Sequence, residues 1–284
     1  MPIVSVILPV YNNEHTVIAA VQSILMQTFS DFELIVINDG ARDGTQKLLS
    51  TLTDKRVKII GDDKNIGLPR RLNQGIAAAR GQYIARMDAD DVAHPERLEK
   101  QVAFLDMHHD IDVLATRAAV FEDGGKIIGL LPFAALHKDI VKCPWHTFPM
   151  PHPTWMMRRD WIVKYGYAVP EIWRAEDQDV LLRAYRESQY ACLSDVLLCY
   201  RQGAFDAHKI ALARRHLLGA QVSNFYEHKE YLFVVLSIGV FLIKTVMDVL
   251  QSVSPQFKKY RQHKFAVDIP QDVYKSIQNI LGRV

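Results

Sequence analysis

The stretch QYIARMDADD (residues 82–91) is the most informative part of this 284-residue sequence. Its first six residues, 82–87, have the apolar and β-branched character of a buried strand. Three carboxylates, Asp88, Asp90 and Asp91, follow at once. In open α/β sheets, ligands bind in the crevice at the carboxyl ends of the strands. The stretch therefore predicts a sheet edge that carries an acidic site.

Apolar runs alternate with helical patterns on both sides of this stretch. The alternation is typical of βαβ units and predicts an α/β fold, with helices packed on a mostly parallel sheet. Predicted strands are residues 3–10, 32–38, 57–60, 82–87, 111–121, 126–131 and 196–201. Predicted helices are residues 17–25, 45–52, 72–79, 176–186 and a helix that Pro95 opens. Beyond residue 204 only helical patterns occur, so we expect a boundary between residues 1–205 and a helical region at 206–284.

The composition excludes several classes of protein. With 34 Lys and Arg against 32 Asp and Glu, the net charge is +2, which argues against a general nucleic-acid binder. With 49% hydrophobic residues, the chain is not disordered. The three cysteines form no CxxC pair and no secretory signal opens the chain, so we expect a cytoplasmic protein.

The pair Asp88 and Asp90 has two interpretations. Two positions apart on an extended chain, both carboxylates can point to one side, where a hard divalent cation would relieve their repulsion. A diphosphate is the natural second ligand of such a cation. The alternative is a solvated acidic turn before the helix that follows Pro95.

Polar residues also follow the other predicted strands. Asp39 and Gly40 end the second strand, where a carboxylate could accept hydrogen bonds from a nucleobase and a glycine permits close approach. An Asx turn with a helix cap is the alternative. Pro9 and Tyr11 leave the first strand and Asp63 leaves the third, so four successive loops are expected to meet at one edge.

Two further segments carry candidate residues. Glu176 and Asp177 begin a helix, where they serve either as N-terminal caps or, for one of them, as a general base. His152 lies between Pro151 and Pro153, which stiffen its loop, and it is a candidate contact to a ligand. No spacing of histidines matches a zinc site.

Taken together, the motifs resemble those of family 2 glycosyltransferases with the GT-A fold. They run in the expected order along the chain: SVILPVYN (5–12), VINDGARDGT (36–45), NIGL (65–68), LNQGIAAARGQYIARMDADD (72–91), HPERLEKQV (94–102), HPTWMMRR (152–159) and AEDQDVLLR (175–183). The resemblance implies a Rossmann-like GT-A catalytic domain at residues 1–205 with an α-helical extension.

The resemblance also implies an activity. The chain would be an inverting transferase that moves a sugar from a nucleoside diphosphate donor to an acceptor hydroxyl in surface polysaccharide or lipid-linked glycan synthesis. The donor would be UDP-, dTDP- or GDP-linked, with UDP favoured. Mg2+ or Mn2+ would be the cofactor. Two departures from the family pattern concern the nucleobase region: Asn38 stands in place of the first residue of an acidic pair, and Ala41 in place of the usual serine.

The family roles carry over residue by residue, still as implications of the resemblance. Pro9, Tyr11 and Asp39 would line the nucleobase pocket; Glu14 and Asp63 would lie near the nucleoside; Arg71 would reach the nucleobase or diphosphate; Asp88 and Asp90 would touch ribose and bind the metal; Asp177 would be the base, supported by Glu176; and His152 would contact acceptor or diphosphate.

The C-terminal region contains one strongly apolar segment. Among the twenty residues Tyr231–Leu250 only Lys244 and Asp248 are charged, and the basic run Lys258, Lys259, Arg261 and Lys264 follows. Such a segment is a buried or oligomer-forming helix, an interfacial helix, or a membrane span. We favour the interfacial interpretation, with peripheral attachment to the anionic cytoplasmic face of the inner membrane.

Two other functions remain open on the sequence alone. A sugar-1-phosphate nucleotidyltransferase shares the doubly wound sheet and the acidic metal site, but it would release pyrophosphate rather than UDP. A catalytically degenerate sugar-nucleotide binding or scaffold protein would lack the acidic residues, whereas Asp88, Asp90, Glu176 and Asp177 are all present.

Overall fold

The computed structural model describes residues 1–169, 174–203, 206–253 and 269–282. Within them the chain forms a nine-stranded sheet covered by helices. The strands are β1 (Val4–Val10), β2 (Phe32–Asp39), β3 (Val57–Asp62), β4 (Tyr83–Arg86), β5 (Val92–Ala93), β6 (Val113–Phe121), β7 (Ile127–Leu130), β8 (Met156–Arg158) and β9 (Tyr190–Arg201). The helices are α1 (Val17–Leu25), α2 (Thr45–Leu49), α3 (Leu68–Ala78), α4 (Arg97–Met107), α5 (His137–Ile140), α6 (Arg159–Tyr165), α7 (Glu176–Ala184), α8 (Ala207–Glu227), α9 (Tyr231–Val253) and α10 (Gln271–Leu281), with a 3-10 turn at His152–Thr154.

The first half of the sheet is parallel. Its strands lie in the order β3-β2-β1-β4, with β1 in register between β2 and β4 through the pairs Val4↔Phe32 and Val4↔Tyr83. β1 and β2 are fully buried, which explains their continuous apolar sequences. Because these strands run in one direction, the loops after them meet at one edge, as predicted.

The second half of the sheet is mixed. β8 pairs antiparallel with both β4 and β6, and β6 pairs parallel with β9. The predicted α/β class and helix-flanked sheet are confirmed, but the parallel arrangement applies to β1–β4 and to the β6/β9 pair. The three-residue β8 and the two-residue β5 are too short for sequence periodicity to indicate.

Helices cover both faces of the sheet. On one face α1 and α4 pack through residues such as Val21 and Leu98, which are fully buried. On the other face α3, α6 and α7 pack around Trp155, and Phe225 of α8 joins the same cluster. The helix layers on both faces of the sheet fix the position of the carboxyl edge of the parallel strands, where the site lies.

The C-terminal helices contact the α/β domain. α8 packs against α7 and α9, while α10 contributes Ile277 and Ile280 to a third apolar cluster with Val92 and Phe121. The domain boundary predicted near residue 205 and the basic run at 258–264 lie outside the described residues. The division into two domains therefore stays a prediction.

Candidate active site

A cavity of about 870 Å³ lies at the carboxyl ends of β1, β2 and β4 and at the start of α7. Nine of the predicted site residues line it: Pro9, Tyr11, Asp39, Arg71, Asp88, Asp90, His152, Glu176 and Asp177. Among the described residues, Glu14 and Asp63 are not part of this lining. The fold thus brings residues from six separate segments of the chain into one cavity.

Asp39 is held firmly at the end of β2. Its carboxylate accepts hydrogen bonds from the backbone N–H groups of Ile66 (2.8 Å) and Gly67 (3.1 Å) and from Nε of Arg71 (2.8 Å). Arg71 is fully buried, and its guanidinium also donates to Asp62 Oδ1 at 2.6 Å. Arg71 thereby fixes Asp39 and the start of α3, and a direct contact of Arg71 with a donor stays a prediction.

The loops after β1 and β2 are tied to each other. Glu14 Oε2 accepts a hydrogen bond from Gly44 N at 2.6 Å, and Asp43 Oδ2 accepts one from Glu14 N at 3.1 Å. Gly40 has a φ of +70°, and a Cβ there would lie 2.7 Å from the carbonyl carbon of Lys64. Only glycine permits this approach. Glu14 therefore organises the loops, while Asp63 lies exposed after β3.

The acidic cluster after β4 consists of Asp88, Asp90 and Asp91. Ligand oxygens of the three lie within 4.8 Å of one another. Burial, followed by the charge of Asp88, raises the pKa of Asp90 to about 6. Burial and the charges of both neighbours raise the pKa of Asp91 as well. The fold has therefore placed three carboxylates where their negative charges oppose one another.

The cluster has the donor set of a site for a hard divalent cation. Asp91 Oδ1 accepts a hydrogen bond from Arg201 N at 2.9 Å, whereas Asp91 Oδ2 is buried with no hydrogen-bond partner among the described residues. Carboxylate oxygens are the ligands that Mg2+ and Mn2+ prefer. The orphaned oxygen and the mutual repulsion both fit the predicted cofactor.

Arg86 is the charged partner of the acidic cluster. Its guanidinium makes a two-point contact with Asp88, through Nη1–Oδ2 at 2.6 Å and Nη2–Oδ1 at 2.5 Å. Burial alone would lower the pKa of Arg86, but the charge and hydrogen bonds of Asp88 raise it. Arg86 is therefore a permanent buried cation that orients Asp88.

Glu176 and Asp177 lie at the first turn of α7. The preceding residue, Ala175, has a left-handed backbone with φ +64°, which turns the chain sharply into the helix. Burial raises the pKa of both carboxyls, and the charge of Glu176 adds to the increase at Asp177. Gln178 donates to Asp177 Oδ2 at 3.3 Å. Asp177 is thus a partly buried carboxylate in the cavity wall with elevated basicity.

His152 lies between Glu176 and Tyr167. Its Nε2 is 2.7 Å from the Tyr167 hydroxyl, and its Nδ1 is 3.6 Å from Glu176 Oε1. Burial, with a further contribution from the charge of Arg86, lowers the pKa of His152 to about 3, so the imidazole is neutral. The side chain of Asn73 holds the backbone of Tyr167: its Nδ2 donates to the Tyr167 carbonyl at 2.8 Å, and its Oδ1 accepts from the Tyr167 N–H at 2.9 Å.

Sequence reasoning missed several residues that line or support this cavity. Arg86 could have been found, because an arginine within a buried strand lies two positions from Asp88 and therefore points to the same side. Tyr167 carries no local signal, since its partner His152 belongs to another element. The cavity also includes Arg174, Tyr200 and one face of α8, namely Ile210, Ala213, Arg214 and Leu217.

Comparison with known proteins identifies the family. A family model described as glycosyl transferase family 2 matches residues 5–166, more than half of the chain. The chain belongs to glycosyl transferase family 2. This glycosyltransferase is 35% identical over 221 residues to the O-antigen biosynthesis glycosyltransferase WbnJ of Escherichia coli; the match covers 75% of this chain and 85% of WbnJ.

Solved structures of low sequence identity share the fold of this glycosyltransferase. S. aureus TarS 1–349 in complex with UDP-GlcNAc aligns with a TM-score of 0.63 at 20% identity, covering 100% of this chain and 80% of TarS. The mannosyltransferase PcManGT of Pyrobaculum calidifontis, in complex with GDP-Man and Mn2+, aligns with a TM-score of 0.59 at 14% identity, covering 99% and 85%. The GT-A fold expected from the sequence is confirmed.

Proposed function

We propose that this glycosyltransferase moves a sugar from a nucleoside diphosphate, with UDP favoured, to an acceptor hydroxyl and inverts the anomeric centre. One observation carries the proposal: Asp39, Asp88, Asp90 and Asp177 all line a single cavity. The cavity therefore holds a carboxylate suited to a nucleobase, oxygens suited to a metal diphosphate, and a base.

The donor would bind along the carboxyl ends of β1, β2 and β4. Asp39 is fixed by three protein donors, so its remaining lone pairs are aimed without further ordering of the side chain. Tyr11 is 42% exposed beside Pro9 and offers a ring face for the nucleobase. TarS binds UDP-GlcNAc and PcManGT binds GDP-Man, so both bases occur within this fold.

Asp88 and Asp90, with Asp91, would hold Mg2+ or Mn2+. When bound, the ion supplies positive charge that stabilises the leaving diphosphate. The complex of PcManGT with GDP-Man and Mn2+ supports this assignment. Arg86 keeps Asp88 in a fixed orientation, and Arg201 Nε donates to the Asp90 carbonyl at 2.9 Å, so the loop that carries the ligands is held at both ends.

Asp177 would act as the general base. It accepts the proton of the acceptor hydroxyl while the oxygen forms a bond to the anomeric carbon and the bond from that carbon to the diphosphate oxygen breaks. The nucleoside diphosphate leaves with the bonding electrons. A single displacement inverts the configuration. The raised pKa of Asp177 increases its strength as a base.

The acceptor would be a glycan or a lipid-linked glycan in surface polysaccharide synthesis. The name of the relative WbnJ, an O-antigen biosynthesis glycosyltransferase, supports this class. The enzyme would act at the cytoplasmic face of the inner membrane as a peripheral protein. Its apolar α9 and the basic sequence after it support that location.

The test begins with donor binding. UDP-, GDP- and dTDP-sugars are screened for thermal stabilisation of the full chain with and without Mg2+ or Mn2+, because a ligand of the folded state raises its apparent stability. The donor that binds is then incubated with candidate acceptors. We expect metal-dependent binding, release of the nucleoside diphosphate and a product of inverted anomeric configuration by NMR.

Other results would overturn parts of the proposal. Release of pyrophosphate would indicate a nucleotidyltransferase. Donor binding without turnover on any acceptor, unchanged in Asp177→Asn, would indicate a degenerate binding protein. Retention of the anomeric configuration would refute the single displacement. Metal-independent stabilisation and turnover would refute the metal site.

A further inference from the structure

The outward face of α9 is the largest unexplained feature of the described chain. Eight large apolar side chains on this helix are exposed: Tyr231, Leu232, Val235, Ile238, Leu242, Ile243, Val246 and Val249. At 3.6 residues per turn they occupy one sector of about 140° over a length of about 27 Å. The segment Tyr231–Leu250 contains an 18-residue stretch with a mean hydropathy of 2.2, and only 6% of the residues in that stretch are fully buried. Soluble proteins rarely expose a continuous apolar surface of this kind.

The opposite face of α9 is bound to the rest of the protein. Phe233 packs against Trp145, with ring centroids 4.7 Å apart, and Ser237 is buried. Lys244 Nζ donates to the His146 carbonyl at 3.4 Å. Both charged residues of the helix therefore point away from the exposed sector. A helix fastened in this way along one side presents a surface rather than a free transmembrane span.

The second charged residue links α9 to the cavity. Asp248 forms an ion pair with Arg214 of α8, whose Nη2 donates to Asp248 Oδ1 at 2.7 Å. Arg214 also lines the active-site cavity, together with Ile210 and Leu217 on the same side of α8. One helix, about 10 Å thick, thus separates α9 from the cavity.

The charge pattern points to an anionic bilayer as the occupant of this surface. The sequence that follows α9, residues 254–268, contains four basic residues, a single aspartate and three interleaved aromatic residues: Lys258, Lys259, Arg261 and Lys264; Asp268; Phe257, Tyr260 and Phe265. Basic clusters beside an apolar helix favour anionic lipid headgroups, and aromatic side chains favour the interface.

A second copy of the chain fits this surface less well. In a two-helix coiled coil the apolar seam is narrow and charged residues border it. Here the borders of the exposed sector are themselves apolar, with Tyr231 and Ile238 on one side and Ile243 on the other. A bilayer covers the whole width of such a sector, whereas a second helix covers only its centre.

We propose that the outward face of α9 docks on an anionic bilayer, and that this docking places the active-site cavity, which α8 separates from α9, close to acceptors held at that membrane. The second half of this statement rests on the proposed function. The first half is a property of the surface alone and is testable without any turnover.

The experiment is co-sedimentation of the full chain with vesicles of phosphatidylcholine containing about one third phosphatidylglycerol, compared with phosphatidylcholine alone. The variant Val235→Glu/Leu242→Glu places two charges in the exposed sector. The matched control Met107→Glu/Val163→Glu changes two exposed apolar residues of α4 and α6. Circular dichroism and thermal melting verify that both variants fold.

We expect the parent chain and the control to bind anionic vesicles, with weaker binding at high salt, and the α9 variant to lose at least about tenfold in affinity. Failure of the parent chain to bind would overturn the proposal. A dimer in sedimentation velocity that the α9 variant abolishes, without vesicle binding, would assign the surface to a second copy.

Nucleotide binding separates this proposal from the proposed function. Thermal stabilisation by UDP or GDP is measured on the same three proteins. Retained stabilisation without vesicle binding would refute the docking surface alone. Vesicle binding without stabilisation by any nucleotide would refute the donor assignment and leave the docking surface intact.

Discussion

The cavity contains two groups of carboxylates that the fold treats differently. Asp39 is held by three hydrogen-bond donors, one of them the buried guanidinium of Arg71. Asp90 and Asp177 receive few donors, and burial raises the pKa of both. The comparison teaches that a carboxylate whose charge is satisfied by the protein serves as a fixed recognition group. A carboxylate whose charge is left uncompensated is available to a cation or a proton.

The largest effect on turnover is expected at Asp177. In Asp177→Asn the side chain keeps its size but no longer accepts a proton, so we expect turnover to fall by about 10²–10⁴-fold with nearly unchanged donor affinity. The measurement is release of nucleoside diphosphate under saturating donor. Asp160→Asn, at an exposed position of α6, is the control.

Two outcomes would contradict this prediction. Full activity of Asp177→Asn would remove Asp177 from the role of base. An equal loss in Asp160→Asn would mean that the assay reports a general change of charge rather than the chemistry in the cavity.

Loss of the cationic partner of Asp39 is expected to lower the stability of the fold. Arg71→Met leaves Asp39 buried without its cationic partner, and breaking a buried ion pair costs about 3 kcal/mol of unfolding free energy. Chemical denaturation measures this loss. Arg70→Met, at the exposed neighbouring position on α3, should change stability little. Equal stability of both variants would show that Arg71 does not anchor Asp39.

Replacing Asp90 is expected to leave the stability of the metal-free protein intact while it weakens metal binding. Asp90→Asn removes one of three opposed charges, so we expect the metal-free protein to be at least as stable as the parent. We also expect the parent, but not the variant, to gain about 2–3 kcal/mol from saturating Mg2+ or Mn2+. Differential scanning calorimetry with and without metal tests both. A metal-induced gain of equal size in the variant would exclude Asp90 as a ligand.

The smallest effect is expected at Tyr167, whose hydroxyl contacts His152. Tyr167→Phe removes the hydroxyl that contacts His152, which costs about 1 kcal/mol in stability. If the hydroxyl positions His152 beside Glu176, the pH–rate profile shifts as well. Tyr165→Phe, which loses a hydroxyl contact to Glu187 at the surface, is the control. An unchanged profile in both variants would restrict Tyr167 to packing.

The part of the fold that the sequence predicts well is the part with long, uninterrupted signals. β1 and β2 are seven and eight residues long and buried throughout, so their positions could be predicted to within a residue or two. β8 has three residues, and the strand predicted at 196–201 is only the second half of β9 (Tyr190–Arg201). The first half of β9 contains exposed polar positions that hide its strand character.

The site follows the same rule. Asp39 and Asp88 could be predicted because each follows a recognisable strand, and Arg86 lies only two positions from Asp88. The contacts of Asp39 with Arg71 and of His152 with Tyr167 could not be predicted, because they join residues 32 and 15 positions apart and long-range contacts leave no local pattern. The sequence therefore predicts most of the groups that meet in the cavity but not the long-range contacts that hold them there.

The last helix has a consequence for anyone who shortens this protein. Ile277 and Ile280 of α10 are buried against Val92 and Phe121, and each contributes about 2 kcal/mol. β9, which packs in the same cluster, carries Arg201 to the carbonyl of Asp90. A truncated protein that ends after α9 would therefore expose the apolar surface of Val92 and Phe121 behind the acidic loop. Inactivity of that truncated protein would reflect a disturbed fold rather than the loss of a catalytic residue.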